Sequence, residues 1–222
     1  MYEWSKTQRI TLTGMFMAII FLLTFTPLGF PQIPLIGSAT IIHIPVIIGA
    51  ILLGPKYGAF LGFIFGLSSL IFATTQSLAL NAFAFTPFRP VPGTDNGSPW
   101  ALLIAFVPRI LVGIVSPLIF YGLMKFLPKR LEAAGLAVAA AVGSMVNTLL
   151  VLHLLFFIFR EPWSYAREAA DVVDPMITYT FVAGIIAGFG VPEAIAAAII
   201  VPAICLVLFV VAKRMGTPVK NA

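Results

Sequence analysis

The sequence predicts an all-α integral membrane protein. It reads as a single membrane domain, residues 1–222, of six transmembrane helices with N- and C-termini cytoplasmic and long outer loops capping a substrate pocket. Three observations carry this reading. Only 9% of the residues are charged and 60% are hydrophobic, with a mean hydropathy of +1.07, where a soluble domain carries about 25% charged residues. Apolar runs near the length needed to cross a hydrocarbon core, about 20 residues, recur along the whole chain. Lys and Arg gather on alternate connections between those runs.

The first run, 10–30, follows a polar start, Met1 to Arg9, and is too long for a signal-peptide core, so no cleavable signal is expected. The second, 39–53, is short for a lipid-facing span; it is expected to lie among other helices or to cross where the bilayer thins. Gly54-Pro55-Lys56 is a tight turn into 57–73. Full-length spans follow at 100–124 and 136–159, joined by a brief basic link, 126–135. The last run, 176–212, is too long for one crossing. Gly188, Gly190 and Pro192 interrupt it, which splits it into a piece before Gly190 and a spanning helix from Val191.

With the N-terminus inside, the cytoplasmic segments hold Lys6, Arg9, Lys56, Lys125, Lys129, Arg130, Lys213, Arg214 and Lys220, and the outer loops only Arg89, Arg160 and Arg167. The positive-inside rule selects this orientation. Most acids, Asp95, Glu161, Glu168, Asp171 and Asp174, then fall outside. A multi-pass protein of the cell membrane is expected. The outer connections 74–99 and 160–175 are long, and such loops are usually functional lids or disordered. Asn81-Ala-Phe-Ala-Phe-Thr-Pro-Phe-Arg-Pro is too aromatic for disorder. It reads as an ordered cover, the alternative being a belt of aromatics at the interface.

Arg109 and Glu193 are the charges left at membrane depth. A charge there costs from about 3 to 17 kcal/mol depending on the reference, so Arg109 either snorkels to the interface or faces a polar cavity, where its natural ligand is an anion. At about 1.5 Å per residue, Arg109 lies about 13 Å below the outer end and Asn147 about 18 Å. His43 and Glu193 fall in the same outer half. Together with Asn81 in the cover, these residues are the candidate contacts of one polar pocket. Each has a plainer reading: Asn147 as helix–helix glue beside Gly143 and Ser144, His43 as a structural hydrogen bonder, and Glu193 as an acid complementing a helix N-terminus. His153 points away from Asn147 and reads as structural.

Gly14 and Ala18 form a small-xxx-small face on the first helix, suited to close approach of another helix. On a terminal helix, a partner protein is the favoured occupant. Single Cys205 argues against disulfides and cysteine metal sites. The chain holds no P-loop, no HExxH and no paired intramembrane carboxylates, nor a nucleophile, base or metal set of the kind an intramembrane enzyme needs. No catalytic activity, metal or cofactor is expected, and no nucleic-acid partner.

Thr40-Ile-Ile-His-Ile-Pro-Val-Ile-Ile-Gly-Ala-Ile-Leu-Leu-Gly-Pro-Lys-Tyr-Gly-Ala59, followed by Gly62-Phe-Ile-Phe-Gly-Leu, resembles the second and third helices of the substrate-binding subunits, or S components, of energy-coupling factor (ECF) transporters. Pro108-Arg-Ile-Leu-Val-Gly113, Gly143-Ser-Met-Val-Asn-Thr148 and Gly190-Val-Pro-Glu-Ala-Ile195 resemble the pantothenate-type members. The resemblance covers most of the chain. It implies that Arg109 and Asn147 hold the vitamin, and that the first-helix face, Gly14 and Ala18 where the family usually has two Ala, meets a transmembrane coupling subunit. It implies uptake driven by ATP on two partner subunits. Pantothenate fits Arg109 through its carboxylate. Other vitamins (pyridoxine, a hydroxymethylpyrimidine, riboflavin, thiamine) stay open, as do a membrane enzyme acting on a lipid or isoprenoid phosphate and a scaffold without ligand.

Overall fold

A computed structural model describes residues 4–26, 29, 32–33, 37–38, 40–76, 81–168, 178–215 and 217, with backbone alone at 32–33 and 37–38. The far end of the first predicted span, Ala39, residues 176–177, and Asp171 and Asp174 lie outside these. The elements are α1 (Lys6–Thr24), a short antiparallel pair β1 (Gln32–Ile33) and β2 (Gly37–Ser38), α2 (His43–Leu53), α3 (Pro55–Thr75), α4 (Trp100–Met124), α5 (Glu132–Glu168), α6 (Tyr179–Ile185) and α7 (Val191–Arg214). A 3₁₀ turn, Ala82–Phe85, lies between α3 and α4, another, Lys129–Leu131, precedes α5, and a π-turn, Ile186–Gly190, joins α6 to α7.

Local chemistry sets several of these bounds. Ser5 and Gln8 form a capping box: the Ser5 hydroxyl accepts from the Gln8 N–H at 3.2 Å and the Gln8 side chain accepts from the Ser5 N–H at 2.9 Å, which starts α1 four residues before the predicted run. Gly54 closes α2 at φ +96°, a conformation that favours glycine, and Pro55 opens α3 at the first position, where its missing N–H costs nothing. α4 has the predicted bounds. The interruption expected at Gly188, Gly190 and Pro192 is instead a π-turn, Ile186–Gly190, through which the helix continues from Tyr179 to Arg214, with α7 counted from Val191. The reading of 160 onward as loop needs correction. α5 runs 37 residues, with a break at Phe159 (φ −125°, ψ 25°), where the predicted span ended, and continues as helix to Glu168.

Among the described residues, five helical stretches are long and apolar enough to cross a membrane: Lys6–Thr24, Pro55–Thr75, Trp100–Met124, Lys129–Glu168 and Tyr179–Arg214. α2 is different. Its 11 residues reach about 16 Å, roughly half a hydrocarbon core, and all are buried among α1, α3, α4, α5 and α7. The prediction that a short second helix lies among its neighbours is met. The lipid-ready surface lies elsewhere, on Ile10 and Leu22 of α1, Leu118 of α4, and Ile195, Ile199 and Val207 of α7.

Small residues set the helix spacing. A Cβ on Gly58 would lie 2.0 Å from the Gly113 carbonyl oxygen, one on Gly62 2.2 Å from that of Arg109, and one on Gly66 2.8 Å from that of Ala105. Contacts that descend on α4 as they ascend on α3 define an antiparallel pair at backbone contact, the close approach that small residues permit. Gly143 against Ser116 and Gly135 against Phe120 and Met124 make α4 and α5 antiparallel in the same way. Trp4 donates to the Leu52 carbonyl at 2.9 Å and Thr24 to Ser68 at 2.9 Å, tying α1 to α2 at one end and to α3 at the other. The long connections therefore share one end of the bundle. There Phe83, Val91, Leu155, Phe159, Trp163 and Val182 form a second apolar cluster with Ile104.

Gly62→Ala forces a backbone shift at the α3–α4 contact. Overpacking costs about 1–3 kcal/mol, so the midpoint of thermal unfolding in detergent is expected to fall by about 2–12 °C. Gly14→Ala, where an added Cβ meets nothing within 4 Å, leaves the midpoint unchanged.

Candidate functional site

Proline chemistry builds the centre of the site. Pro108 lies inside α4 and brings no N–H, so the carbonyl four residues earlier, that of Ile104, loses its helical donor. Arg109 Nη1 takes that place, donating to Ile104 O at 2.6 Å. The side chain runs back along its own helix toward the loop-rich end, the direction helical side chains favour. It is 3% exposed. Its guanidinium carbon lies over the Phe65 ring of α3 at 5.3 Å and over the Phe85 ring of the 3₁₀ turn at 4.9 Å. Arg109 does not snorkel; it is enclosed in protein.

Its donors are only partly used. Nε is buried without a hydrogen-bond partner, and neither a bond from Nη2 nor a carboxylate partner occurs among the described residues. Aromatic rings stack on the faces of a guanidinium and leave its in-plane N–H groups available. The Nε–Nη2 edge is thus a donor pair of the geometry that takes a carboxylate in two parallel bonds.

Asn147, one helical turn beyond Gly143 on α5, is 4% exposed, and its Oδ1 has no donor. Ser144, three residues before it and fully buried, has an unpartnered hydroxyl, and so does Ser69 on α3. His43 is the first residue of α2 and 1% exposed; the Thr40 backbone approaches its ring, but neither nitrogen completes a hydrogen bond of good geometry. Buried polar atoms are nearly always satisfied, so this set on α2, α3, α4 and α5 is a concentration of unmet hydrogen bonding. The described contacts do not bring Arg109 onto Asn147. The register of Gly143 against Ser116 puts Asn147 roughly one turn further from the loop-rich end than Arg109, while the guanidinium reaches the other way.

Glu193 is half-buried at the start of α7, and both its oxygens are engaged: Oε1 accepts from the Thr40 N–H at 2.6 Å and Oε2 from the Thr148 hydroxyl at 3.3 Å. It ties the approach to α2, the α5 face beside Asn147 and the head of α7 into one joint. Asn81 is half-buried at the head of the 3₁₀ turn, and its carbonyl accepts from the Ala84 N–H at 3.0 Å. Gly14 and Ala18 are exposed on α1, facing away from the bundle. His153 is satisfied through Leu149 O at 2.6 Å and the Tyr179 hydroxyl at 3.1 Å. Among the described residues no group of three His, Cys, Asp or Glu is placed to hold a metal. Phe65, Phe85, Thr40 and Thr148 were not singled out by the sequence. The signal that could have pointed to this centre is Pro108, whose missing N–H frees the carbonyl four residues before it.

Residues 8–205 match the family model described as "ECF transporter, substrate-specific component". The chain belongs to this family. The S component is accordingly a multi-pass protein of the plasma membrane and part of a transporter. It is 40% identical over 172 residues to the "Pantothenic acid transporter PanT" of Lactococcus lactis subsp. cremoris, covering 76% of this chain and 84% of the relative. It is 31% identical over 219 residues to the "Pantothenate transporter PanT" of Leuconostoc mesenteroides subsp. mesenteroides, covering 96% and 97%.

In this S component the joint at Glu193 is a testable element. Glu193→Ala leaves the Thr40 N–H and the Thr148 hydroxyl without their acceptor. A hydrogen bond to a charged group contributes about 1.5–3 kcal/mol, so thermal unfolding in detergent is expected about 3–12 °C lower. Glu193→Gln, which keeps one carbonyl acceptor, recovers part of the loss.

Proposed function

We propose that this chain is the pantothenate-binding subunit of an ECF vitamin transporter. It takes the vitamin from the outer face and passes it inward with the help of partner subunits. The observation that carries the reading is Arg109: a buried cation without a carboxylate partner among the described residues, its Nε–Nη2 edge free. Pantothenate supplies the missing carboxylate. Its hydroxyls and amide offer donors and acceptors of the kind that Asn147 and His43 lack, and the names of both relatives point to the same vitamin.

In this reading the bundle crosses the membrane six times, α2 being the short buried crossing, with both termini cytoplasmic. The loop-rich end is extracellular, and its connections, with Asn81 at the head of the 3₁₀ turn, cap the pocket. Arg109 pairs with the carboxylate, Asn147 and His43 meet the polar middle of the ligand, and Glu193 shapes the wall through Thr40 and Thr148. The protein is a binding subunit and not an enzyme. It needs no cofactor of its own; ATP is used by two partner subunits, and a transmembrane coupling subunit docks on the α1 face of Gly14 and Ala18.

Calorimetric titration of the purified protein with pantothenate, with pyridoxine and riboflavin as comparators, tests this. Pantothenate is expected to bind tightly and the comparators weakly. Arg109→Ala is expected to weaken pantothenate by about 2–5 kcal/mol; unchanged affinity would remove Arg109 from the pocket.

Pro108→Ala makes a finer prediction. A restored N–H at position 108 competes for the Ile104 carbonyl and releases Nη1. Affinity for pantothenate is expected to fall about tenfold, the equivalent of one hydrogen bond of about 1.4 kcal/mol, while the thermal midpoint of the ligand-free protein does not fall.

A further inference from the structure

We infer that Phe85 is a positioning residue for the anion site: it holds the Arg109 guanidinium in place and makes closure of the 3₁₀ turn over the site depend on that cation. The inference rests on the pantothenate reading for its ligand, and on the contacts of Phe85 for everything else.

The Arg109 guanidinium carbon lies 5.3 Å from the Phe65 ring and 4.9 Å from the Phe85 ring. The two rings differ in how they are held. Phe65 is fully buried in α3, between Gly62 and Gly66 at the α3–α4 contact, and is part of the bundle core. Phe85 is half-buried at the end of the 3₁₀ turn, in a segment that no sheet or long helix fixes. Three attachments hold that segment and the residues just after it, one of them the bond from Arg89 Nη2 to the Thr74 carbonyl at 3.5 Å. Ala82, Phe83 and Ala84 are buried, Phe83 edge-on to Phe159 at 5.6 Å. Thr86, fully buried, shares a hydrogen bond with Thr74 of α3 at 2.6 Å. Phe85 lies between them and is the side chain of the turn that reaches the cation.

The consequence is physical. With Nη1 on the Ile104 carbonyl, one in-plane direction of the guanidinium is fixed. Rotation of its plane about that bond is not fixed by hydrogen bonding, because Nε and Nη2 have no partner among the described residues. A ring on α3 and a ring on the turn set the plane and so aim the free Nε–Nη2 edge. The attraction is electrostatic, between the cation and the negative ring face, and is strongest where water is excluded. An aliphatic side chain of similar bulk fills the space without supplying it. Arg109 in turn gives the 3₁₀ turn a polar reason to stay closed, so the cover and the anion site act as one unit.

The experiment compares Phe85→Leu, Phe85→Tyr, Arg109→Met and the double variant Phe85→Leu/Arg109→Met with the wild type. Two ligands are titrated: pantothenate and its uncharged alcohol counterpart, in which CH2OH replaces the carboxylate. Phe85→Leu is expected to weaken pantothenate about tenfold, the upper range of a desolvated cation–ring contact, and the alcohol less than twofold. Phe85→Tyr, which keeps the ring, is expected to stay within twofold for both. Equal weakening of both ligands by Phe85→Leu would reduce Phe85 to packing and overturn the inference, as would no effect on either. Thermal unfolding of the same proteins without ligand supplies an independent arm. The losses from Phe85→Leu and Arg109→Met are expected to be non-additive, the double variant losing less than their sum; additive losses would overturn the inference even if pantothenate binds. A wild type that binds no pantothenate would overturn the vitamin assignment alone, since the unfolding arm decides on Phe85 without it.

Discussion

The contact of α3 and α4 along Gly58, Gly62 and Gly66 is the constraint on which the rest of the structure depends. In a bilayer, lipid tails are as apolar as Leu, so helices gain little from burying apolar surface against each other; close van der Waals contact and hydrogen bonds hold them together. The glycine stripe brings the backbones into direct contact, with the Gly62 Cα against the carbonyl of Arg109 itself. That contact places the Arg109 backbone. The Phe65 ring, on the same helix as the stripe and three residues past Gly62, follows from it, since α3 has no freedom to rotate without separating the stripe. A single packing decision therefore positions the cation and one of the two rings that enclose it.

Enclosing a cation at this depth has a cost, of which about 3 kcal/mol is the lower estimate for a helix centre. The contacts of Arg109 are of that size together: a hydrogen bond from a charged group, about 1.5–3 kcal/mol, and two ring contacts of about 0.5–2 kcal/mol each. Pro108 makes the first possible by freeing a carbonyl within reach. Proline is tolerated in a membrane helix because neighbouring groups satisfy the carbonyl it strands, and here the satisfying group is the next residue's side chain. The arrangement stabilises the charge without neutralising it, since among the described residues neither a carboxylate nor a carbonyl takes the Nε–Nη2 edge. The proposed anion site requires this balance, since it would receive an acid and later release it. A resident acid would compete with the ligand, and an unsupported cation would disfavour insertion.

Much of this was legible in the sequence, and the illegible parts share a cause. Hydropathy places α4 at its observed bounds and marks the short second helix as buried, because each depends on chain-local composition, whereas the glycines and proline read as interrupting the last run only widen it into a π-turn. The first run failed at its start because a capping box, Ser5 with Gln8, draws polar residues into the helix. The fifth failed at its end because α5 leaves the apolar zone at Phe159 but not the helix. Arg109 and Asn147 stand out as polar residues in apolar runs. Phe65 and Phe85 do not, being two of 20 Phe, and only tertiary packing selects them. Glu193 was visible as an acid at a helix start. Its partners, Thr40 and Thr148, lie 153 and 45 residues away, and no local pattern announces them.

The joint at Glu193 and the cover at Phe85 divide the loop-rich end into two mechanical parts. Glu193 binds the approach to α2 to α5 and α7, beside Asn147 and ahead of His43, all within the bundle. Phe85 belongs to a turn anchored by Thr86 on α3 and by Phe83 on the extension of α5. Among the described residues the first part has no hydrogen bond to the cover: Thr40 and Thr148 are bonded to Glu193. The second part is held by one hydroxyl pair, the bond from Arg89 to the Thr74 carbonyl, the buried Ala82, Phe83 and Ala84, and the cation–ring contact. The π-turn Ile186–Gly190 lies at the same end, with Gly190 against Thr148, so the helix that completes the wall is locally over-wide where it meets the joint. A bonded joint, an enclosed cation and a cover tied to that cation are the parts that the proposed uptake of a small acid requires.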